Sequence, residues 1–219
     1  MKKIMEEIHF RLQPIVNISS GRTIGFEVLS ALPSNFSVEE FFSGASKDFL
    51  FKVIRAQLSL RVDNQLSLFM NIPTKILLDT QLCNHISKLL AGKNVNLELQ
   101  DPDNLLNIDE EAFYTLSKNM SLLKHNGASV WLDDVKEDML ILVSRMHFFG
   151  VKIDKSVLWK YRDKNYSILA SFVGALKLCT EKVLVEGIET KADLHMATRV
   201  GLDYGQGFYW PEISLKKVG

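Results

Sequence analysis

Cysteine is nearly missing from this chain. Cys83 and Cys179 lie far apart on helix-like segments and form no C-x-x-C pattern, which argues against a thiolate metal site or a dithiol redox centre. Net charge is missing as well: 26 Lys and Arg balance 26 Asp and Glu, so no global field draws the chain to nucleic acid or to an acidic membrane. No apolar run approaches the ~18 residues of a membrane span. The start, Met1 to Glu7, has two lysines but no apolar core and no small-residue cleavage site, unlike a signal peptide. The histidines His9, His85, His125, His147 and His195 are scattered without ligand spacing, which disfavours zinc. Neither an internal repeat nor a Pro-, Gly- or Ser-rich linker divides residues 1–219, so one domain is expected. A reducing cytoplasm fits this composition.

What the chain does have is a 47% hydrophobic composition with 24% charged residues, enough to bury one sizeable core. Strand and helix patterns alternate. His9 to Val16 and Thr23 to Ser30 read as strands joined by the turn residues Asn17 to Gly21, a hairpin-like entry. Ser37-Val38-Glu39-Glu40 reads as a capping box, and a helix is expected from Ala45 to Asn64 with Leu50, Val53, Ile54, Leu58 and Val62 on one side. Strands follow at Leu66 to Asn71, Asn94 to Gln100, Ala128 to Asp133, Val151 to Asp154, Lys182 to Glu186 and within Asp203 to Trp210. Between them run helices at Thr80 to Leu90, Asp109 to Asn126, Asp138 to Met146, Tyr166 to Leu178 and Thr190 to Val200. This order predicts an α/β fold, a (β/α)8 TIM-like barrel with a hairpin start. A doubly wound open sheet is the alternative, because periodicity does not reveal closure.

Polar residues recur at the ends of these strands: Glu27, Asn71, Glu98, Asp133 with Asp134, Lys152 with Asp154, Glu186 and Gln206. One such residue is usually a helix cap. In a parallel barrel, however, strand ends share the face that carries active sites. Glu27, Asn71, Glu98 and Asp133 are hard oxygen donors without Cys or His, suited to Mg²⁺ or Mn²⁺. Asp134 extends the set toward a second cation, an arrangement used in phosphate chemistry. In this reading Lys152 orients an attacking water or offsets phosphoryl charge, Glu186 accepts the water's proton, and Gln206 holds a ligand or its water. An ion pair between Lys152 and Asp154 that supports the barrel rim is the plainer alternative.

These residues lie in motifs that resemble those of EAL domains. Gln13-Pro14-Ile15-Val16 is followed by Gly25-Phe26-Glu27-Val28-Leu29, the naming motif with Val for Ala, then by Met70-Asn71-Ile72-Pro73, Leu97-Glu98-Leu99 and Leu132-Asp133-Asp134. Val151-Lys152-Ile153-Asp154, Val185-Glu186-Gly187-Ile188-Glu189-Thr190 and Tyr204-Gly205-Gln206-Gly207-Phe208 complete the series. The resemblance implies a barrel whose first strand runs antiparallel, and hydrolysis of cyclic di-GMP to linear pGpG with Mg²⁺ or Mn²⁺. It implies metal ligation by Glu27, Asn71, Glu98, Asp133 and Asp134, catalytic roles for Lys152 and Glu186, and ligand contacts from Gln206, Asp154 and Glu189.

Departures from the family pattern are concentrated. Where active members carry Phe-Gly-Thr-Gly-Tyr-Ser-Ser after the Asp pair, a loop that orders the second metal and substrate, this chain has Val135, Lys136, Glu137, Asp138 and Met139. A glutamate that braces the loop is replaced by Asp101, and a phosphate-binding arginine by Ala31, which removes a bidentate donor. The first expectation is therefore an EAL-like regulator with weak or no turnover. It would act by binding cyclic di-GMP or a protein partner, with a flagellar transcription or motility regulator implied by analogy with short standalone relatives. The alternative is a working phosphodiesterase. A homodimer, with contacts beside the altered segment, belongs to the same resemblance; direct nucleic-acid binding does not.

Overall fold

In a computed structural model of the chain, residues 8–32, 37–162 and 166–214 are described. The chain enters through a hairpin of β1 (His9–Asn17) and β2 (Thr23–Ala31), which pair antiparallel with Gln13 opposite Glu27. The turn between them is too short for a crossover, so the second strand must reverse. Asn17 closes it by accepting the Ser20 amide at 2.9 Å, and Gly21 takes φ +68°. Parallel strands then follow in order: β3 (Ser67–Ile72), β4 (Val95–Leu99), β5 (Ala128–Val135), β6 (Gly150–Ile153), β7 (Lys182–Val185) and β8 (Tyr204–Gly205). β8 pairs antiparallel with the free edge of β1 through Val16–Gly205 and Asn17–Tyr204. That contact closes the barrel, as expected, and sets aside the open sheet. A short β9 (Ile213–Ser214) adds to β1 at Arg11 and Leu12.

The outer layer is built from α1 (Val38–Gly44), α2 (Lys47–Leu58), α3 (Thr74–Leu77), α4 (Thr80–Leu89), α5 (Glu110–His125), α6 (Leu140–Arg145), α7 (Lys155–Lys160), α8 (Ser167–Cys179) and α9 (Lys191–Arg199). The helix expected from Ala45 to Asn64 is shorter, because Ser46 caps its start by accepting the Phe49 amide and Ser59 ends it. Its apolar stripe, Leu50, Val53, Ile54 and Leu58, is buried as expected, whereas Val62 lies beyond the helix. Ser37 supplies only the hydroxyl half of its capping box. A complete one, Thr190 with Asp193, starts α9.

Inside the barrel the period-two alternation of strands stacks two layers. The lower layer is apolar and holds Ile15, Phe69, Trp131 and Leu184, each at most 1% exposed. The Trp131 ring fills the space left by Gly150, where a Cβ would stand 2.5 Å from it, and its indole N–H donates to Asn96 Oδ1 at 2.8 Å. Two residues further along the same strands comes the polar layer: Asn71 after Phe69, Asp133 after Trp131, Lys152 after Gly150, Glu186 after Leu184 and Gln206 after Tyr204. An apolar floor therefore separates the charges from water on one side.

Candidate active site

The Lys152 ammonium is the hub of the polar layer. Its side chain is 1% exposed and stands 2.9 Å from Glu186, 3.1 Å from Glu27, 3.4 Å from Asp133 and 3.6 Å from Glu98. One cation thus faces four carboxylates, three of them buried, and the excess negative charge shapes every ionisation nearby. The Lys152 proton is held far more tightly than usual: burial works against it, but Asp133, Glu186, Glu27 and Glu98 outweigh that cost. Glu98 is pushed well above the carboxylate range by burial and by its acidic neighbours, with Lys152 opposing. Burial, opposed by Lys152, pushes Asp133 up to about 8, with Glu186, Asp134 and Glu27 adding to the rise. Glu27 goes the other way. Burial raises it, yet Lys152 and hydrogen bonds from Gln206, Lys152 and Asn71 bring it below its ordinary value.

Two amides orient Glu27. Asn71 Nδ2 donates to its Oε1 at 3.0 Å, and Gln206 Nε2 donates to its Oε2. Gln206 Nε2 also donates to Gln13 Oε1 at 2.7 Å. The sequence reading assigned no role to Gln13, although its alternation with the inward-facing Ile15 and its place opposite Glu27 mark the inner face. Asn71 Oδ1 and both Glu98 carboxylate oxygens are buried without a hydrogen-bond donor among the described residues. Buried oxygens of this kind require a partner. A hard divalent cation fits the donor set of Glu27, Asn71, Glu98 and Asp133.

Asp134 forms the outer edge. Strand β5 does not stop at Asp133, as the sequence suggested. It continues to Val135, which is fully buried and pairs with Ile153, so Asp133 and Asp134 form a bulge opposite Lys152. Asp134 adopts φ +52°, a left-handed conformation that Asp tolerates better than most residues. It places a carboxylate oxygen within 4.8 Å of oxygens of Asp154 and Glu186. Although the residue as a whole is exposed, enclosure of its carboxyl and then Glu186 push Asp134 up to about 6. Asp154 also caps α7 by accepting the Ser156 amide at 2.7 Å.

The remaining positions lie around this centre. Glu189 Oε2 pairs with Arg162 at 3.2 Å. Ala31 ends β2. Asp101 is exposed in a left-handed conformation (φ 57°) and its side chain makes no hydrogen bond among the described residues. After Val135, Lys136 and Asp138 are exposed, whereas Glu137 accepts hydrogen bonds from Lys160 at 2.8 Å and Tyr161 at 3.0 Å. The segment that replaces the expected glycine-rich loop is tied to the barrel.

The sequence model of the EAL domain family matches residues 3–212. The chain belongs to the EAL domain family. Among curated relatives of this EAL domain is the cyclic di-GMP phosphodiesterase TpdA of Vibrio parahaemolyticus, 29% identical over 94% of this chain. The EAL domain spans 37% of that relative's length. Solved structures with the same fold include the EAL enzyme Bd1971 with cAMP and cyclic di-GMP bound, at TM-score 0.79 and 18% identity, covering 94% of this chain and 62% of the other. Klebsiella pneumoniae BlrP1 in a manganese and cyclic di-GMP complex aligns at TM-score 0.77 and 20% identity, over 95% and 56% of the two chains. No helix among the described residues of the EAL domain is long and apolar enough to cross a membrane.

Proposed function

We propose that this EAL domain hydrolyses cyclic di-GMP to linear pGpG with Mg²⁺ or Mn²⁺. The observation that carries the proposal is the acidic ring around Lys152, with Asn71 Oδ1 and both Glu98 oxygens buried without hydrogen-bond donors among the described residues. Packing four carboxylates, three of them buried, around one ammonium costs stability unless a further cation completes the charge balance. A chain that served only as a protein-binding surface would gain from apolar residues there. Glu27, Asn71, Glu98 and Asp133 would hold one cation, and Asp134 with Asp154 and Glu186 a second. Such ions polarise a phosphoryl oxygen and supply a nucleophile at neutral pH.

The chain's own residues perform the rest. Glu186, 23% exposed at its side chain, accepts the proton of the attacking water. Lys152 stands within 3.6 Å of Glu27, Glu98, Asp133 and Glu186 and offsets part of their charge, and Gln206 and Asn71 fix the orientation of Glu27. The test is separation of pGpG from cyclic di-GMP after incubation with Mn²⁺ or Mg²⁺. Product is expected from the wild type, absent with a chelator and absent from Glu27→Ala and Glu186→Gln. A wild type that makes no pGpG with either metal refutes the proposal.

The anchored segment Val135–Met139 favours a second reading, in which the domain binds cyclic di-GMP without turnover and relays it to a protein partner such as a transcription or motility regulator. Calorimetry with cyclic di-GMP and no product would support it. A pull-down against a flagellar regulator, with Glu27→Ala as the comparison, would test the partner, and sedimentation would test the homodimer.

A further inference from the structure

Helix α7 and the two residues that follow it, Tyr161 and Arg162, reach both flanks of the outer carboxylates. On one side Tyr161 and Lys160 donate to Glu137 Oε1, and Tyr161 is itself only 6% exposed, so its hydroxyl is held by the core. This anchors the residues after Asp134, while Val135 is locked in the ladder beside Ile153 and its carbonyl accepts the Asp154 amide at 3.2 Å. On the other side Trp159 Nε1 donates to the Gly187 carbonyl at 2.9 Å, and Arg162 Nη2 reaches the same carbonyl at 3.3 Å. Arg162 also grips Asp193 through two nitrogens at 2.8 and 2.9 Å, and Asp193 accepts the Glu189 and Thr190 amides. Gly187 takes φ +77°, and a Cβ there would stand 2.6 Å from Lys155 Cβ. The turn after Glu186 therefore rests directly on α7. Asp154, between the two flanks, is the N-cap of the same helix.

We propose that α7, together with Tyr161 and Arg162 just after it, is a brace that positions Asp134 and Glu186 from opposite sides, with Glu137 and Arg162 as the positioning residues, and that it holds the outer carboxylates ready for a cation in the absence of nucleotide. The inference rests on reading Asp134 and Glu186 as site carboxylates, and it gives the replaced loop a chemical purpose: Glu137 substitutes fixed anchorage for loop ordering. Removing a residue that orients ligands typically costs 10- to 100-fold in metal affinity.

The experiment is a calorimetric Mn²⁺ titration without nucleotide, run on the wild type, Glu137→Ala, Glu137→Gln, Arg162→Ala and Arg162→Lys, with melting temperatures and pGpG production followed in parallel. The wild type is expected to bind two ions. Glu137→Ala and Arg162→Ala should weaken the second step about tenfold or more and spare the first. Glu137→Gln, which still accepts from Tyr161, should recover most of the affinity. Arg162→Lys keeps the charge without the fork, and it decides the Arg162 arm if the alanine variant does not fold. A wild type that binds a single ion, unchanged titrations in both alanine variants, or a parallel loss of both steps and of melting temperature overturns the brace. Two-ion binding with the expected variant losses but no pGpG leaves the brace standing and sinks the hydrolytic reading. Turnover with unaltered variant titrations does the reverse.

Discussion

Replacing Lys152 by methionine keeps the length of the side chain and removes the ammonium that Glu27, Glu98, Asp133 and Glu186 share. At the observed separations of 2.9 to 3.6 Å, each contact with an ionised carboxylate contributes about 5 kcal/mol of Coulomb energy at an effective dielectric constant of about 20. Desolvation of the buried ions offsets most of that sum. Breaking one side of a buried ion cluster nevertheless costs about 3–5 kcal/mol, because charge is left uncompensated. For a chain of this size each kcal/mol shifts the melting temperature by about 2–4 °C, so a drop on the order of 10 °C is expected at pH 8 with chelator present. The deficit should shrink at pH 5, where the carboxylates take up protons in place of the lost ammonium, and Mn²⁺ should recover part of it at pH 8. Circular dichroism melts of the wild type and Lys152→Met at both pH values, with and without Mn²⁺, measure all three effects. A variant that melts within about 2 °C of the wild type at pH 8, below the 6 °C or so that ~3 kcal/mol implies, would refute the charge-balance argument for the site.

The metal-free wild type should itself lose stability as pH rises. Asp133 moves from an ordinary 3.8 to about 8, and Asp134 from 3.8 to about 6. The folded state therefore binds more protons than the unfolded one, and stability falls between about pH 4 and pH 8; a flat melting temperature over that window contradicts it. Mn²⁺ at about 100 times the dissociation constant of one site should stabilise the protein by about 2.7 kcal/mol, raising the melting temperature by roughly 5–10 °C, and Glu98→Gln should lose the share of the gain that comes from the inner site. Gly150→Ala places a methyl 2.5 Å from the Trp131 ring and should destabilise the barrel by about 1–3 kcal/mol. Gly150→Ala combined with Trp131→Phe should restore part of the loss, read by chemical denaturation.

Much of the fold was legible because strands alternate. Phe69 with Asn71, Trp131 with Asp133 and Leu184 with Glu186 each pair a floor residue with a site residue two positions on, and that period survives in the sequence. The helix forecast from Ala45 to Asn64 overran because Val62 keeps the apolar rhythm past Ser59, where the helix stops. Gln13 went unassigned since a lone glutamine in an entry strand carries no local signal; only pairing with Glu27 and contact with Gln206 reveal it.

By itself, then, the sequence determined which residue types line the strand ends, and with them a hard-oxygen chemistry suited to divalent cations. Only the tertiary structure decided their partners. Lys152 meets Glu27 from a position far along the chain, Glu189 pairs with Arg162, and Asp134 reaches Asp154 and Glu186 through a bulge that keeps Val135 in the ladder. The physical reason is that local periodicity sets which face a side chain takes, whereas closure of the barrel sets which distant charges share one buried space, and burial then sets their ionisation. The Val135 to Met139 segment shows the difference most clearly. Its composition reads as the loss of a loop, and its contacts with α7 turn that loss into a fixed support.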